Sequence, residues 1–239
     1  MRIDKYICDT INITRNQAKS KISSGAVTVD GIVLRSSSFQ VNEKSSIVCV
    51  DGKRIEYKKY VYIMMNKPSG VLSAAKDKKC ETAIDLLKTE DKRHDLFIAG
   101  RLDKDTTGFL LITNDGNFAH DILSPKKHIM KTYLVNLEHN NVEGYEENFK
   151  KGILLEDGYE TKSAEFVHLG ECLAKLKISE GKFHQVKRMF AALGNKVIGL
   201  SRIAMGDLPL DEDLDFGEYR YLNDAEVGLI IGKLHKNSL

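Results

Sequence analysis

The run Phe109-Leu110-Leu111-Ile112-Thr113 restricts the fold more than any other segment. It lies between Gly108 and the turn-forming Asn114-Asp115-Gly116, and so predicts a buried strand. Such a strand needs partners in a sheet. Residues 60–66 and positions near 132–138 and 173–179 supply further strand patterns, while positions near 81–88, 116–123, 143–150 and 182–193 read as helices. The two kinds intermix without a strict βαβ rhythm. The predicted class is therefore α+β, with a small N-terminal α/β domain followed by a mixed, mainly antiparallel sheet flanked by helices. The boundary is expected near 58–60, giving domains 1–59 and 60–239.

The head has its own local signals. A first helix is expected over about 3–10, burying Ile3 and Ile7. Thr14-Arg15-Asn16-Gln17 fits a capping box, in which hydroxyl and carboxamide satisfy free amides reciprocally and start a second helix. Ala18 and Ile22 then share one stripe, Arg15 and Lys19 another, and Gly25 suits a left-handed stop. Asp30-Gly31 and Asp51-Gly52, each between short apolar segments, read as hairpin turns.

Charge refines the picture. The 36 Lys and Arg against 34 Asp and Glu leave +2, which by itself disfavours a nucleic-acid binder. Residues 1–59, however, hold eleven basic and six acidic side chains, a surplus of five, and 60–239 carries the compensating acid, concentrated in 207–226. Patches bind phosphate and totals do not, so a basic head on structured RNA is as well supported as a merely solvated face. No apolar run approaches the ~20 residues of a membrane helix, and the N-terminus lacks the apolar core of a signal peptide. Four scattered cysteines without a C-x-x-C argue against a disulfide framework or zinc site and for a reducing cytoplasm.

Four segments carry candidate chemistry. In 100–116 a short strand is expected to end at Asp103, so that Arg101 and Asp103 face one side. Asp103 can serve there as nucleophile, general base or metal ligand; equally it can stabilise the turn, be solvated with Asp105, or share Mg²⁺ with it. In 180–190 the apolar stripe Phe183, Val186, Phe190 and Leu193 places Lys187 at its edge, where a half-buried ammonium wants an anion such as a deep Asp or else snorkels to solvent, while Arg188 points away. His184 reads as ligand, base or, more often, a packed structural group. Tyr133, in Lys131-Thr132-Tyr133, is either core or a ring offered to an extruded base. Asn66-Lys67-Pro68-Ser69-Gly70 shows only a turn.

In this order, these segments resemble the RsuA-type ribosomal RNA pseudouridine synthases over essentially the whole chain. The first fifty residues resemble the S4-like RNA-binding domain. Residues 66–70, 100–116, 131–133 and 180–190 are similar to the family's first, second, tyrosine and third motifs. The resemblance implies isomerisation of a flipped-out uridine, with Asp103 as nucleophile, Tyr133 stacking on the base and accepting the C5 proton, Lys187 pairing with Asp103, and Arg101 filling the gap in the RNA. Lys187 stands where relatives often have Arg, and so lacks the planar fork for bidentate pairing. Arg2, Lys5, Arg15, Lys19 and Arg188 are the further RNA-contact candidates. No metal, small-molecule cofactor or membrane is implied. The expected partner is ribosomal RNA, or a small-subunit assembly intermediate, acted on by a monomer. Residues 124–128, Ser-Pro-Lys-Lys-His, and the lack of a long basic C-terminal extension favour 16S over 23S RNA. A different class, a non-catalytic RNA-binding assembly factor, is the rival reading.

Overall fold

The computed structural model describes residues 1–124 and 127–232; the Pro125-Lys126 portion of the segment used above to favour 16S RNA lies outside them. The elements in chain order are α1 (Ile3–Ile11), α2 (Arg15–Ser23), β1 (Val27–Val29), β2 (Ile32–Val33), β3 (Val48–Val50), β4 (Lys53–Ile55), β5 (Tyr62–Lys67), β6 (Phe97–Ile98), β7 (Thr107–Thr113), α3 (Gly116–Leu123), β8 (Lys131–Leu137), α4 (Tyr145–Lys151), β9 (Glu165–Gly170), β10 (Leu173–Ile178), α5 (Gln185–Ala192), β11 (Val197–Met205), β12 (Leu208–Pro209), β13 (Tyr219–Tyr221) and α6 (Asp224–Ile230), with a 3₁₀ turn at Thr89–Asp91. The α+β class holds.

The chain divides into two compact units. The first comprises Met1–Tyr60 and Leu87–Leu96. Its four strands run in the order β2-β1-β3-β4 and pair antiparallel. The Thr14–Gln17 capping box forms, and Ile3, Ile7, Ala18, Ile22, Val27 and Val48 are fully buried together. The later segment joins this unit through two bonds no sequence pattern announces: Asn12 Nδ2 donates to the Thr89 carbonyl at 3.0 Å, and Arg93 donates to the Lys58 carbonyl at 2.8 Å.

The second unit, Val61–Leu86 with Phe97–Leu239, is built on one sheet in the order β13-β5-β7-β11-β8-β10-β9, with β12 on β11 and β6 on β7. Every pairing is antiparallel except β7 with β11, where Thr107 and Gly108 lie opposite Ser201 and Arg202. β7 is the buried strand foreseen; Phe109 to Ile112 have no exposed surface. Asp115 starts α3 by accepting from the amides of Asn117 and Phe118. An aromatic cluster of Tyr145, Phe149, Phe166 and Phe190 binds α4 and α5 to β9.

Three local expectations fail. Residues 81–88 make turns, not a helix: the Thr82 amide and hydroxyl both bond the Asp85 carboxylate, a side-chain alternative to helical pairing, and Leu72 bridges to Thr82. No strand ends at Asp103; the strand stops at Ile98 and residues 99–106 are irregular. Phe183 lies ahead of α5 and is 75% exposed, so the buried helix face is Val186, Met189 and Phe190. The central strand β11 is unannounced, because Gly199 and the buried Arg202 break its apolar alternation and two bulges interrupt its register with β8.

Candidate active site

The irregular segment 99–106 is held through its main chain at alternate residues. Arg202, 2% exposed, donates from Nε to the Phe109 carbonyl at 2.7 Å and from Nη2 to the Gly100 carbonyl at 3.0 Å. Ser73 Oγ donates to the Leu102 carbonyl at 2.8 Å and accepts from its amide at 3.0 Å. Lys67, fully buried, points its ammonium at the carbonyls of Pro68, Lys104 and Thr106, at 2.9, 3.2 and 2.9 Å. Gly100, Leu102, Lys104 and Thr106 are thereby fixed. The intervening side chains are left for other work: Arg101 and Asp103 line one pocket, and Asp105 meets Lys187 beside it.

That pocket also takes in Tyr133, His184, Ile178 and Leu200. Tyr133 projects from β8, 8% exposed, opposite Leu176 and Arg202. Lys187 Nζ lies 2.6 and 2.8 Å from the two Asp105 oxygens and 3.4 Å from Asp103 Oδ2. Its hydrogen bonds thus go to Asp105, with Asp103 as a second, looser anion. The Lys187 hydrogen bond, more than its charge, holds the Asp105 carboxyl below its usual range. His184 Nε2 is 3.6 Å from Asp103 Oδ1, and its backbone sits in the left-handed region at φ 47°, a costly conformation for a residue other than glycine. The loop carrying it is tied by Glu180, which accepts from Gln185 Nε2 at 2.6 Å and from the Tyr159 hydroxyl at 2.7 Å.

The remaining candidates lie elsewhere. Arg188 pairs with Asp157 at 2.6 Å, and Arg2 with the buried Asp4 at 2.8 Å. Lys5, Arg15 and Lys19 are solvent-exposed on the first unit. None of 207–226 lines the pocket. Lys67, Ser73 and Arg202 were missed by sequence reasoning. Nothing in a polar residue's type announces that it will hold a loop by its carbonyls. Among the described residues, no group of His, Cys, Asp and Glu could hold a metal ion, and no helix is long and apolar enough to cross a membrane.

Two buried ammonium groups differ in support. Burial pushes Lys67 down to about 8, opposed by Asp105 and Asp103. Burial also pushes Lys131 down to about 8, and the Arg202 charge adds to the effect; its bond to the Ile122 carbonyl is long, 3.4 Å. A lysine that binds its proton less tightly when folded makes the unfolded chain the better proton acceptor between about 8 and 10.5. The penalty is full below that window and fades as pH rises through it. Lys131→Met is therefore expected to be more stable than the parent at pH 7, with the gap closing by about pH 10.5. Denaturant melts of both chains at pH 7, 9 and 10.5 check this; a gap of constant size, or a less stable variant at pH 7, contradicts it.

Comparison with known proteins bears on the whole chain. Residues 1–47 match the S4 domain, and residues 61–192 match the RNA pseudouridylate synthases. The ribosomal small subunit pseudouridine synthase A of Vibrio cholerae is 48% identical over 96% of this chain and 99% of its own, and that of Escherichia coli is 38% identical over 97% and 100%. An uncharacterized RNA pseudouridine synthase of Bacillus subtilis is 43% identical over 96% and 98%. A crystal structure of a pseudouridylate synthase superposes with a TM-score of 0.69 at 40% identity, covering 96% of this chain and 99% of that one. With an S4 domain ahead of it and relatives matched nearly end to end, the chain belongs to the RNA pseudouridylate synthases, a family of isomerases.

Proposed function

We propose that the protein isomerises one uridine of small-subunit ribosomal RNA to pseudouridine in the cytoplasm, with Asp103 as the nucleophile. The observation that carries this reading is the convergence of Asp103 and Tyr133 on one pocket, with Lys187 3.4 Å from the carboxylate. A uridine flipped out of the RNA enters it. Asp103 attacks and forms a bond to the substrate, the N1–C1′ bond breaks, the uracil turns, C5 bonds to C1′, and the bond to Asp103 breaks to return the free carboxylate. The C5 proton leaves towards Tyr133, directly or through water, and N1 gains one. Nothing is oxidised or reduced, and no co-reactant is consumed. Lys187, anchored by Asp105, lies 3.4 Å from the Asp103 carboxylate and pairs with it as its second anion. Arg101, which lines the pocket, suits the space vacated by the uridine.

Exposed Lys5, Arg15 and Lys19 suit phosphate contacts that add affinity with little base readout. Arg2 and Arg188 are contacts of lesser reach, since each already holds a carboxylate. The names of the Vibrio and Escherichia relatives support the small subunit as target.

Incubating the protein with unmodified 16S and 23S transcripts, and with small-subunit assembly particles, tests the assignment. One new pseudouridine in 16S RNA, free or in particles, is expected on chemical mapping. A site in 23S RNA alone would transfer the activity to the large subunit. No site in any substrate, with RNA still bound, would favour the non-catalytic assembly factor.

A further inference from the structure

Phe183 carries more relative exposure, 75%, than any other large apolar side chain among the described residues. Single exposed apolar groups are ordinary on protein surfaces. What separates Phe183 from the others is its setting. Its ring lies on the His184 imidazole, with centroids 3.8 Å apart and planes 18° from parallel. That imidazole lines the Asp103 pocket, and its Nε2 is 3.6 Å from the carboxylate. His184 adopts its left-handed backbone immediately before α5, where its carbonyl accepts the Arg188 amide at 2.9 Å. One face of the Phe183 ring is thus covered by the imidazole, and the exposure belongs to the rest. Two cations line the same pocket as His184: Lys182, adjacent to Phe183 in the chain, whose ammonium lies 4.8 Å from the centre of the Tyr159 ring, and Arg101. An open aromatic face beside positive charge is what an unpaired nucleotide requires, since every base has a π-face and every linkage a phosphate.

Extruding a uridine also deprives its neighbour of a stacking partner. We propose that Phe183 replaces that partner: its ring stacks on the unpaired base adjoining the uridine isomerised at Asp103, His184 backs the ring, and Lys182 faces the adjoining phosphate. The inference rests on the pocket being the uridine site. It predicts a contact that tolerates any base but demands an aromatic side chain.

The test compares the parent with Phe183→Tyr, Phe183→Leu and Phe183→Ala in the full chain. On the 16S transcript, Leu and Ala are expected to raise KM about tenfold with kcat nearly unchanged, and Tyr to behave as the parent. Melting temperatures should agree, because the ring is exposed. The same four proteins are titrated against a short single-stranded RNA carrying 2-aminopurine beside a uridine; the parent and Tyr should quench its fluorescence, Leu and Ala should not. Leu matching Tyr, Ala matching the parent, or a loss confined to kcat overturns the proposal, as does a parent that fails to quench. A parent that quenches yet forms no pseudouridine in any transcript overturns the substrate assignment and leaves the stacking contact standing.

Discussion

Asp103→Asn is expected to lower pseudouridine formation by at least about 10⁴-fold while RNA binding and folding persist. The carboxamide occupies nearly the same space but is neutral and a far poorer nucleophile. Structure keeps the experiment clean. Lys187 makes its hydrogen bonds to Asp105, so removing the Asp103 charge does not strand a half-buried ammonium. The main chain around Asp103 is held by Lys67, Ser73 and Arg202, none of which contacts its carboxylate. Chemical mapping of product, filter binding to the transcript and a thermal melt make the three readouts. Undiminished product from the variant would sink the nucleophile assignment; lost binding or a fall in melting temperature would show Asp103 to be structural instead.

Gly108→Ala should cost the fold heavily. Gly108 has φ +95°, where a side chain is strained. A Cβ there would overlap the Arg202 carbonyl oxygen and come within 2.7 Å of Ser201 Oγ and 2.9 Å of the Arg202 amide nitrogen. Those atoms belong to Ser201 and Arg202 of β11, where it pairs in parallel with β7, so the two central strands must separate to admit one methyl group. A cost of about 3 kcal/mol or more is expected, lowering the melting temperature by roughly 10 °C. Gly116→Ala is the control: it opens α3 with nothing within 4 Å of a Cβ and ordinary backbone angles, so it should be neutral or slightly stabilising. Equal melting of Gly108→Ala and the parent would contradict the close approach.

Local chemistry made much of the fold legible. Thr14 and Gln17 announced α2, Asp30-Gly31 and Asp51-Gly52 announced their hairpins, and the apolar run at 109–112 announced β7. These signals need only neighbours in sequence. β11 was invisible because its interior holds an arginine whose partners, the Phe109 and Gly100 carbonyls, lie about a hundred positions upstream. The helix over 81–88 was a false reading for the opposite reason: Thr82 and Asp85 satisfy one another at close range and remove the helix that their neighbours' pattern suggests. At the site, Arg101, Asp103 and Tyr133 were legible and do share a pocket, while Lys67 looked like part of a turn and is buried under the loop. Asp105 was read as a solvated bystander or a metal partner, and it is the carboxylate Lys187 grips most closely.

The alternate pinning of residues 100–106 has an evolutionary consequence. Three buried polar side chains hold this stretch by its carbonyls, which every amino acid possesses, so the shape of the loop owes little to the side chains it displays. Substitutions at 101, 103 and 105 can therefore change what the loop displays with little thermodynamic cost, whereas substitutions at 67, 73 or 202 remove what holds it. Heritable variation in the displayed side chains and heritable variation in foldedness run through separate positions, which lets such a loop change its display without first acquiring spare stability.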